Sequence, residues 1–321
     1  MAYQTGSAMN IGDILAKLAE FARPLGWTIN KVSDSALYLN NSVGFWAIEF
    51  KNNMLFVIPA SGVDLGRDCF NQPQSACNHT YQTIKTMTSY LEKGNYTTYD
   101  FFGTESYLHV VIQYEENKFR HFGLGSLIKE GDYVGGQYSY GTFISTSNYY
   151  RIRQSTDNIL GFSAGTTQYQ AVVRADGLAN DLRSPWYLSA KNPYDYKDIR
   201  DAEKGNYLAT LGDCVLNQNS MYNFVHPDML LVRYSQSTFG QKLIPTPHCL
   251  IAHCRDGLFR RLGILPDRYE VMMKGLSPRQ VFRVNDEKWM IIPSAQYQDK
   301  SVADDGQDNS GYQGVAYRII E

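Results

Sequence analysis

Apolar residues in the first thirty positions recur at spacings of three and four. Ile11, Ile14, Leu15, Leu18, Phe21, Ala22 and Leu25 fall on one face of an α-helix at that period. Asn10 stands where a side-chain oxygen caps the first free amides, and Pro24 with Gly26 ends the run. The period then drops to two. Strands are predicted over 27–32, 36–39, 44–51 and 54–59, with Asn40-Asn41 and Asn52-Asn53 at the turns, where asparagine tolerates positive φ. A helix laid on a short antiparallel meander is an α+β unit. Residues 60–78 hold Gly, Asp, Pro and Cys without a period and predict a loop. Tyr81, Ile84, Met87 and Leu91 return to helical spacing and predict a second helix over 80–93.

From Tyr99 onward the pattern is β, with strands predicted over 99–103, 107–114, 118–128 and 137–145. The stretch 107–142 is the most telling part of the chain. Two alternating runs meet at a Glu116-Asn117 turn, Gly123 and Gly125 punctuate the return, and a Gly135-Gly136 corner precedes alternating aromatics. Glycine inside a strand marks a bulge or a close backbone approach, so this segment is built for packing. Residues 147–222 are polar and irregular, with strands predicted at 169–174 and 186–189. A last β region carries strands at 230–234, 248–254, 268–273, 280–284, 288–292 and 314–320, with a turn at Asn285-Asp286. The fold class expected is α+β. An N-terminal helix on a short antiparallel sheet (1–96) precedes a mainly antiparallel β region (97–321) with an irregular insertion around 147–222.

Composition narrows the function classes. The 321 residues include 30 Lys and Arg against 32 Asp and Glu, a net charge of −2, which is no basis for coating nucleic acid or an anionic membrane by charge alone. Charged residues make up only 19 % while Tyr numbers 24 and Phe 15, a balance that favours β structure and protein–protein contacts. The five cysteines, Cys69, Cys77, Cys214, Cys249 and Cys254, are odd in number and irregular in spacing, so no disulfide framework is expected. No signal segment and no apolar run long enough for a membrane helix is read, and synthesis in a reducing cytoplasm is expected, with no membrane partner.

The candidate chemistry resolves mostly into packing. Gly161-Phe162-Ser163-Ala164-Gly165 fits the nucleophile-elbow pattern, and Asp213 or Asp228 followed by His248 or His253 would complete a triad in the right order. The residues after it alternate like a strand where a helix is required, so a glycine-rich β turn is favoured. His248-Cys249 and His253-Cys254 could supply zinc ligands, with Cys214 or His226 completing a set. Alternation, however, splits the cluster between two faces of a strand. Gly123 and Gly125 with Lys129 lack the helix start that a phosphate loop needs, and His121 is expected to be structural. The carboxylate pairs Glu115-Glu116 and Asp304-Asp305 fall on a hairpin tip and an acidic loop. No catalytic, cofactor-binding or metal residue is assigned, and the protein is expected not to be an enzyme. Arg255, Arg260 and Arg261 form the tightest basic cluster, one that could touch passing DNA but fits a solvated turn.

Three separated stretches carry a resemblance. They are Tyr3-Gln4-Thr5-Gly6 with the helix and Gly26-Trp27; Phe119-Arg120-His121-Phe122-Gly123-Leu124-Gly125 through Gly135-Gly136-Gln137-Tyr138; and Ser237-Thr238-Phe239-Gly240-Gln241, Pro245, Gly263, 289–293 and Gly314-Val315-Ala316-Tyr317-Arg318. In these the chain resembles a family of virion structural proteins of tailed bacteriophages. The resemblance frames nearly the whole chain and is weakest over 147–222 and at the His/Cys cluster. It implies a head-to-tail neck, collar or tail component of the virion, made in the host cytoplasm. It also implies a homo-oligomeric ring joined to other neck or tail proteins. Interface residues are expected in loops near Tyr149 and Tyr150, Tyr194 and Tyr196, and the acidic segment with Asp304 and Asp305, which reads as a mobile loop or as a segment ordered only by a partner. The alternative is a baseplate or fibre-associated protein that binds or cleaves glycan, with Tyr and Trp as sugar-stacking faces.

Overall fold

The helix forms where the period places it. In a computed structural model of the chain, α1 spans Ile11–Ala22, and Asn10 Oδ1 accepts a hydrogen bond from the Asp13 amide at 3.0 Å. A single 3-10 turn at Arg23–Leu25 follows, and Gly26, at φ 93°, carries the chain out of the helix in a conformation that glycine adopts without strain. The structure describes residues 2–51, 54–75, 88–90, 94–141, 171–176, 186–189, 207–210, 238–239, 242–243, 246–253, 259–273, 275–293 and 313–320. Among these the chain is mostly antiparallel β, with α1 lying on sheet, and no helix is long and apolar enough to cross a membrane.

Strand β1 is Ala2–Ala8, and a small sheet follows α1 in sequence order: β2 (Thr28–Ser33), β3 (Ala36–Asn40), β4 (Phe45–Lys51), β5 (Met54–Ala60) and β6 (Thr88–Tyr90). The helix predicted over 80–93 is corrected at β6. There Thr88 and Ser89 pair with Phe56 and Leu55, the edge amides and carbonyls of β5 outweighing a helical spacing of apolar residues. The rest of that prediction lies outside the described residues.

The remaining strands are β7 (Tyr96–Gly103), β8 (Tyr107–Glu115), β9 (Lys118–Ser126), β10 (Ile128–Lys129), β11 (Val134–Gly141), β12 (Ala171–Asp176), β13 (Trp186–Ser189), β14 (Tyr207–Thr210), β15 (Thr238–Phe239), β16 (Lys242–Leu243), β17 (Thr246–His253), β18 (Phe259–Met272), β19 (Val281–Val284), β20 (Glu287–Pro293) and β21 (Gln313–Ile319). β15 and β16 pair with each other as a separate two-stranded sheet. The others join β1 in one sheet of order β1-β7-β8-β9-β11-β12-β13-β14-β17-β18-β21-β20-β19, with β10 added on β18. Residues 2–8 therefore pair with β7, Tyr3 opposite Phe102, in the sheet built from the chain after 95. Asn117 (φ 60°) and Asn285 (φ 55°) make the hairpin turns expected of them.

The sheet curls until its ends meet. Arg279, just before β19, donates from Nη2 to Asp100 Oδ1 on β7 at 2.9 Å and to Thr5 Oγ1 on β1 at 3.3 Å. Across the interior the rings of Phe102 (β7) and Tyr317 (β21) stack with centroids 4.8 Å apart.

Strands β7 to β9 are covered on both faces. Leu108, Val110, Ile112, Phe122 and Leu124 pack with Ile14, Leu18, Leu37 and Trp46 of the helix and small sheet. The alternate residues Tyr107, Val111 and Phe119 pack inward with Tyr138, Tyr140, Leu262 and Tyr317. Burial on both sides is why 107–112 reads as an almost continuous apolar run where a half-exposed antiparallel strand would show polar alternation. Trp46 Nε1 donates to the Tyr138 carbonyl at 2.9 Å, and Ser139 Oγ donates to the Val57 carbonyl at 2.9 Å, tying the small sheet to β11.

Candidate functional site

The chemically capable side chains of 107–142 converge on the interior between β8, β9, β11 and the C-terminal strands. His109 is fully buried, and its Nε2 lies 2.9 Å from the Pro266 carbonyl oxygen. That oxygen can only accept, so Nε2 carries the proton and the neutral ring's Nδ1 accepts from Tyr140 Oη at 2.9 Å. His121 repeats the arrangement: Nε2 donates to the Pro293 carbonyl at 2.9 Å, and Nδ1 accepts from Tyr317 Oη at 2.8 Å. Arg268, also fully buried, donates from Nε to Tyr317 Oη at 3.3 Å and lays its guanidinium 4.6 Å from the centre of the Tyr140 ring. Burial, joined by the Arg268 charge, pushes both histidines down to about 3, so both are neutral across the physiological range. Burial likewise drives the Tyr138 and Tyr140 hydroxyls well above their ordinary range.

Glycine makes the network possible. A Cβ on Gly123 would stand 2.5 Å from Tyr140 Cε1 and 2.8 Å from His109 Nδ1. Gly125, at φ 146°, brings its backbone against Ser106 and Tyr107, where a Cβ would meet the Ser106 carbonyl oxygen at 2.5 Å. This is the close approach expected of glycines inside a strand. Lys129 donates to the Tyr133 carbonyl, a contact with the backbone of its own segment.

Beside the network a cavity of about 580 Å³ opens between the end of the helix and β18. Pro24, Leu25, Leu127, Ile128 and Pro266 supply its apolar walls. Thr104, Glu105, Ser106, Tyr107, Ser126 and Asp267 supply its polar groups. Asp267 sits at φ 50°, a left-handed conformation uncommon away from glycine. Tyr107 Oη donates to its Oδ2 at 2.7 Å, and Arg318 reaches its Oδ1 at 3.3 Å while also pairing with Glu287 at 2.9 Å. The strand is bulged here. Cys249 pairs with Ile264 and Pro247 with Tyr269, so five steps of β18 run against two of β17.

His121 and the glycines, legible in the sequence, come together in the structure, whereas the cavity is not legible there. The strand predicted over 268–273 is corrected here: β18 begins nine residues earlier, at Phe259, and runs through Pro266-Asp267 at the bulge. Tyr149, Tyr150, Tyr194, Tyr196, Asp304 and Asp305 lie outside the described residues, as do Ser163, Asp213, Asp228, Cys214, His226, Cys254 and Arg255. His248, Cys249 and His253 fall on β17, and Arg260 and Arg261 on β18. Arg261 pairs with Glu130 at 2.6 Å. Compared with known protein families and with curated proteins, the chain matches none.

Proposed function

We propose that the protein is a structural component of a tailed-phage virion that acts through protein–protein assembly in the neck, collar or tail. One observation supports the proposal: five residues from the three resembling stretches, Tyr3, His121, Gly123, Pro293 and Tyr317, meet in one packed interior. Tyr3 lies against Phe102, Phe102 stacks on Tyr317, His121 joins Tyr317 to Pro293, and Gly123 admits Tyr140 to His109. These groups tie strands far apart in sequence, which is the work of a scaffold. The two histidines spend both ring nitrogens on such ties. Homo-oligomeric rings and neighbouring neck or tail proteins are the partners this role calls for.

The test is the mass of the purified protein in solution, with imaging of any oligomer and fractionation alongside phage particles. A closed ring, or protein carried with the particles, is the expected result. A monomer at every concentration that never travels with particles would overturn the proposal.

A further inference from the structure

Strands β8, β9 and β11 are tied to their surroundings in two different ways, one on each face. Toward α1 and the small sheet the packing is apolar, and the hydrogen bonds beside it come from groups that do not titrate. Trp46 Nε1 meets the Tyr138 carbonyl, Ser139 Oγ the Val57 carbonyl, and Gln137 Nε2 the Phe45 carbonyl at 2.8 Å. Toward the C-terminal strands the ties run through two histidines. His109 joins β8 to Pro266 of β18, and His121 joins β9 to Pro293 of β20 and Tyr317 of β21. The groups that face the two rings are Arg268 of β18, Arg120 of β9, Tyr107 of β8, Tyr138 and Tyr140 of β11, and Tyr317. Two carboxylates tie the same parts elsewhere, Asp100 to Arg279 and Asp267 to Tyr107.

The hydrogen-bond count in this interior admits one extra proton and no second. A proton on His109 Nδ1 turns Tyr140 Oη into an acceptor, and the Tyr140 O–H can swing to Tyr317 Oη, 3.5 Å away. A proton on His121 as well would ask Tyr317 Oη to accept from His121, Tyr140 and Arg268 together, with its own O–H left to place. Three cations would then share one buried space. We propose that His109 and His121 form an acid-released latch: on taking up protons they free β18, β20 and β21 from β8 and β9, while α1 and the small sheet stay seated on the other face. Above the ordinary histidine value of 6.5 the rings are neutral whether the interior is closed or open, and the latch holds. Below it only the opened form takes up protons readily, so each histidine raises the opened fraction by up to about tenfold per pH unit. The latch is independent of the proposed virion role.

The test is hydroxyl-radical footprinting of the purified full chain between pH 7 and pH 4, read by mass spectrometry. Tyr140 and Tyr317, both fully buried, are expected to become labelled as the pH falls. Trp27 and Trp46, packed with α1, should stay protected over the same range, and return to pH 7 should restore the tyrosines. Because two protons are taken up, tyrosine labelling should rise by more than about tenfold per pH unit through its midpoint. The double variant His109→Gln/His121→Gln keeps a donor at each position without a titrating ring, and its tyrosines should remain protected down to pH 4. Tyrosines that stay protected in the wild type, or tyrosines and tryptophans labelled together, would overturn the proposal. So would a wild-type opening that the glutamine pair leaves unmoved, which would hand the response to the Asp100 and Asp267 ties. If the double variant does not fold, the wild-type profile still decides, since a rise of one proton or fewer also overturns the latch.

Discussion

At Gly123 a missing side chain decides whether the interior can close. Two rings stand where a Cβ would go, and both belong to residues whose hydrogen bonds hold them in place. Gly123→Ala is therefore expected to destabilise the protein by about 1–3 kcal/mol, as overpacking of a filled core does, measured by urea unfolding. The histidines set the response to acid. Folded His109 and His121 stay neutral down to about 3, whereas in the unfolded chain they take up protons near the ordinary value of 6.5. Between those limits the unfolded state binds more protons. Stability that is full above pH 6.5 is then expected to fall as pH drops, by up to about 1.4 kcal/mol per pH unit for each histidine. Chemical unfolding from pH 7 to pH 4 checks this. His121→Asn, which keeps a donor for the Pro293 carbonyl, should lower stability at pH 7 yet flatten the decline.

Among elements, α1 is the one whose sequence accounts for it most fully. Its apolar face, its cap and its stop are all local, and the structure places each where the pattern does. Asn10→Ala is expected to cost about 1 kcal/mol, read as a drop in urea midpoint at unchanged slope. Several strands are legible in position but not in partnership. Alternation located β8 and β9, and Asn117 located their turn, because a hairpin is specified by neighbours in sequence. β1 was missed because Ala2–Ala8 carries no apolar alternation and is held as a strand by β7, ninety residues away. β6 was misread as helix for the related reason that its pairing with β5 is invisible in a window of local sequence. The cavity residues were hidden in the same way. Thr104, Ser126 and Asp267 come from three separate stretches.

For the whole molecule, the decisive contact is the one that closes the curl. The Asp100 side chain is 2 % exposed, and it holds Arg279 from one end of the sheet and Tyr3 from the other. Burial, followed by the nearby Asp100 charge, pushes the Tyr3 hydroxyl up to about 12, so it remains a donor at any working pH. Arg279→Ala would leave a buried carboxylate with its cation gone. About 2 kcal/mol of destabilisation is expected, less than for a fully buried pair because Arg279 itself is 29 % exposed. Hydrogen exchange should then quicken in β1 and β19 before it does in β8 and β9, since the former are the ends that the clasp joins. If β8 and β9 exchange first, the clasp is not what holds the ends together.

The sequence by itself determined the helix with its cap, the run of antiparallel hairpins, the turns at Asn117 and Asn285, and the need for glycine at 123 and 125. Each depends on a residue and its near neighbours, through side-chain period or allowed φ. Tertiary structure alone decided that side chains join the two ends of the large sheet, that 107–112 is buried on both faces, and that His109 and His121 serve as neutral ties. It alone drew Asp267, Ser126 and Glu105 around one cavity. Those outcomes depend on which distant strands meet, and the free energy that selects the meeting comes from burial and hydrogen bonding between segments that no local pattern relates.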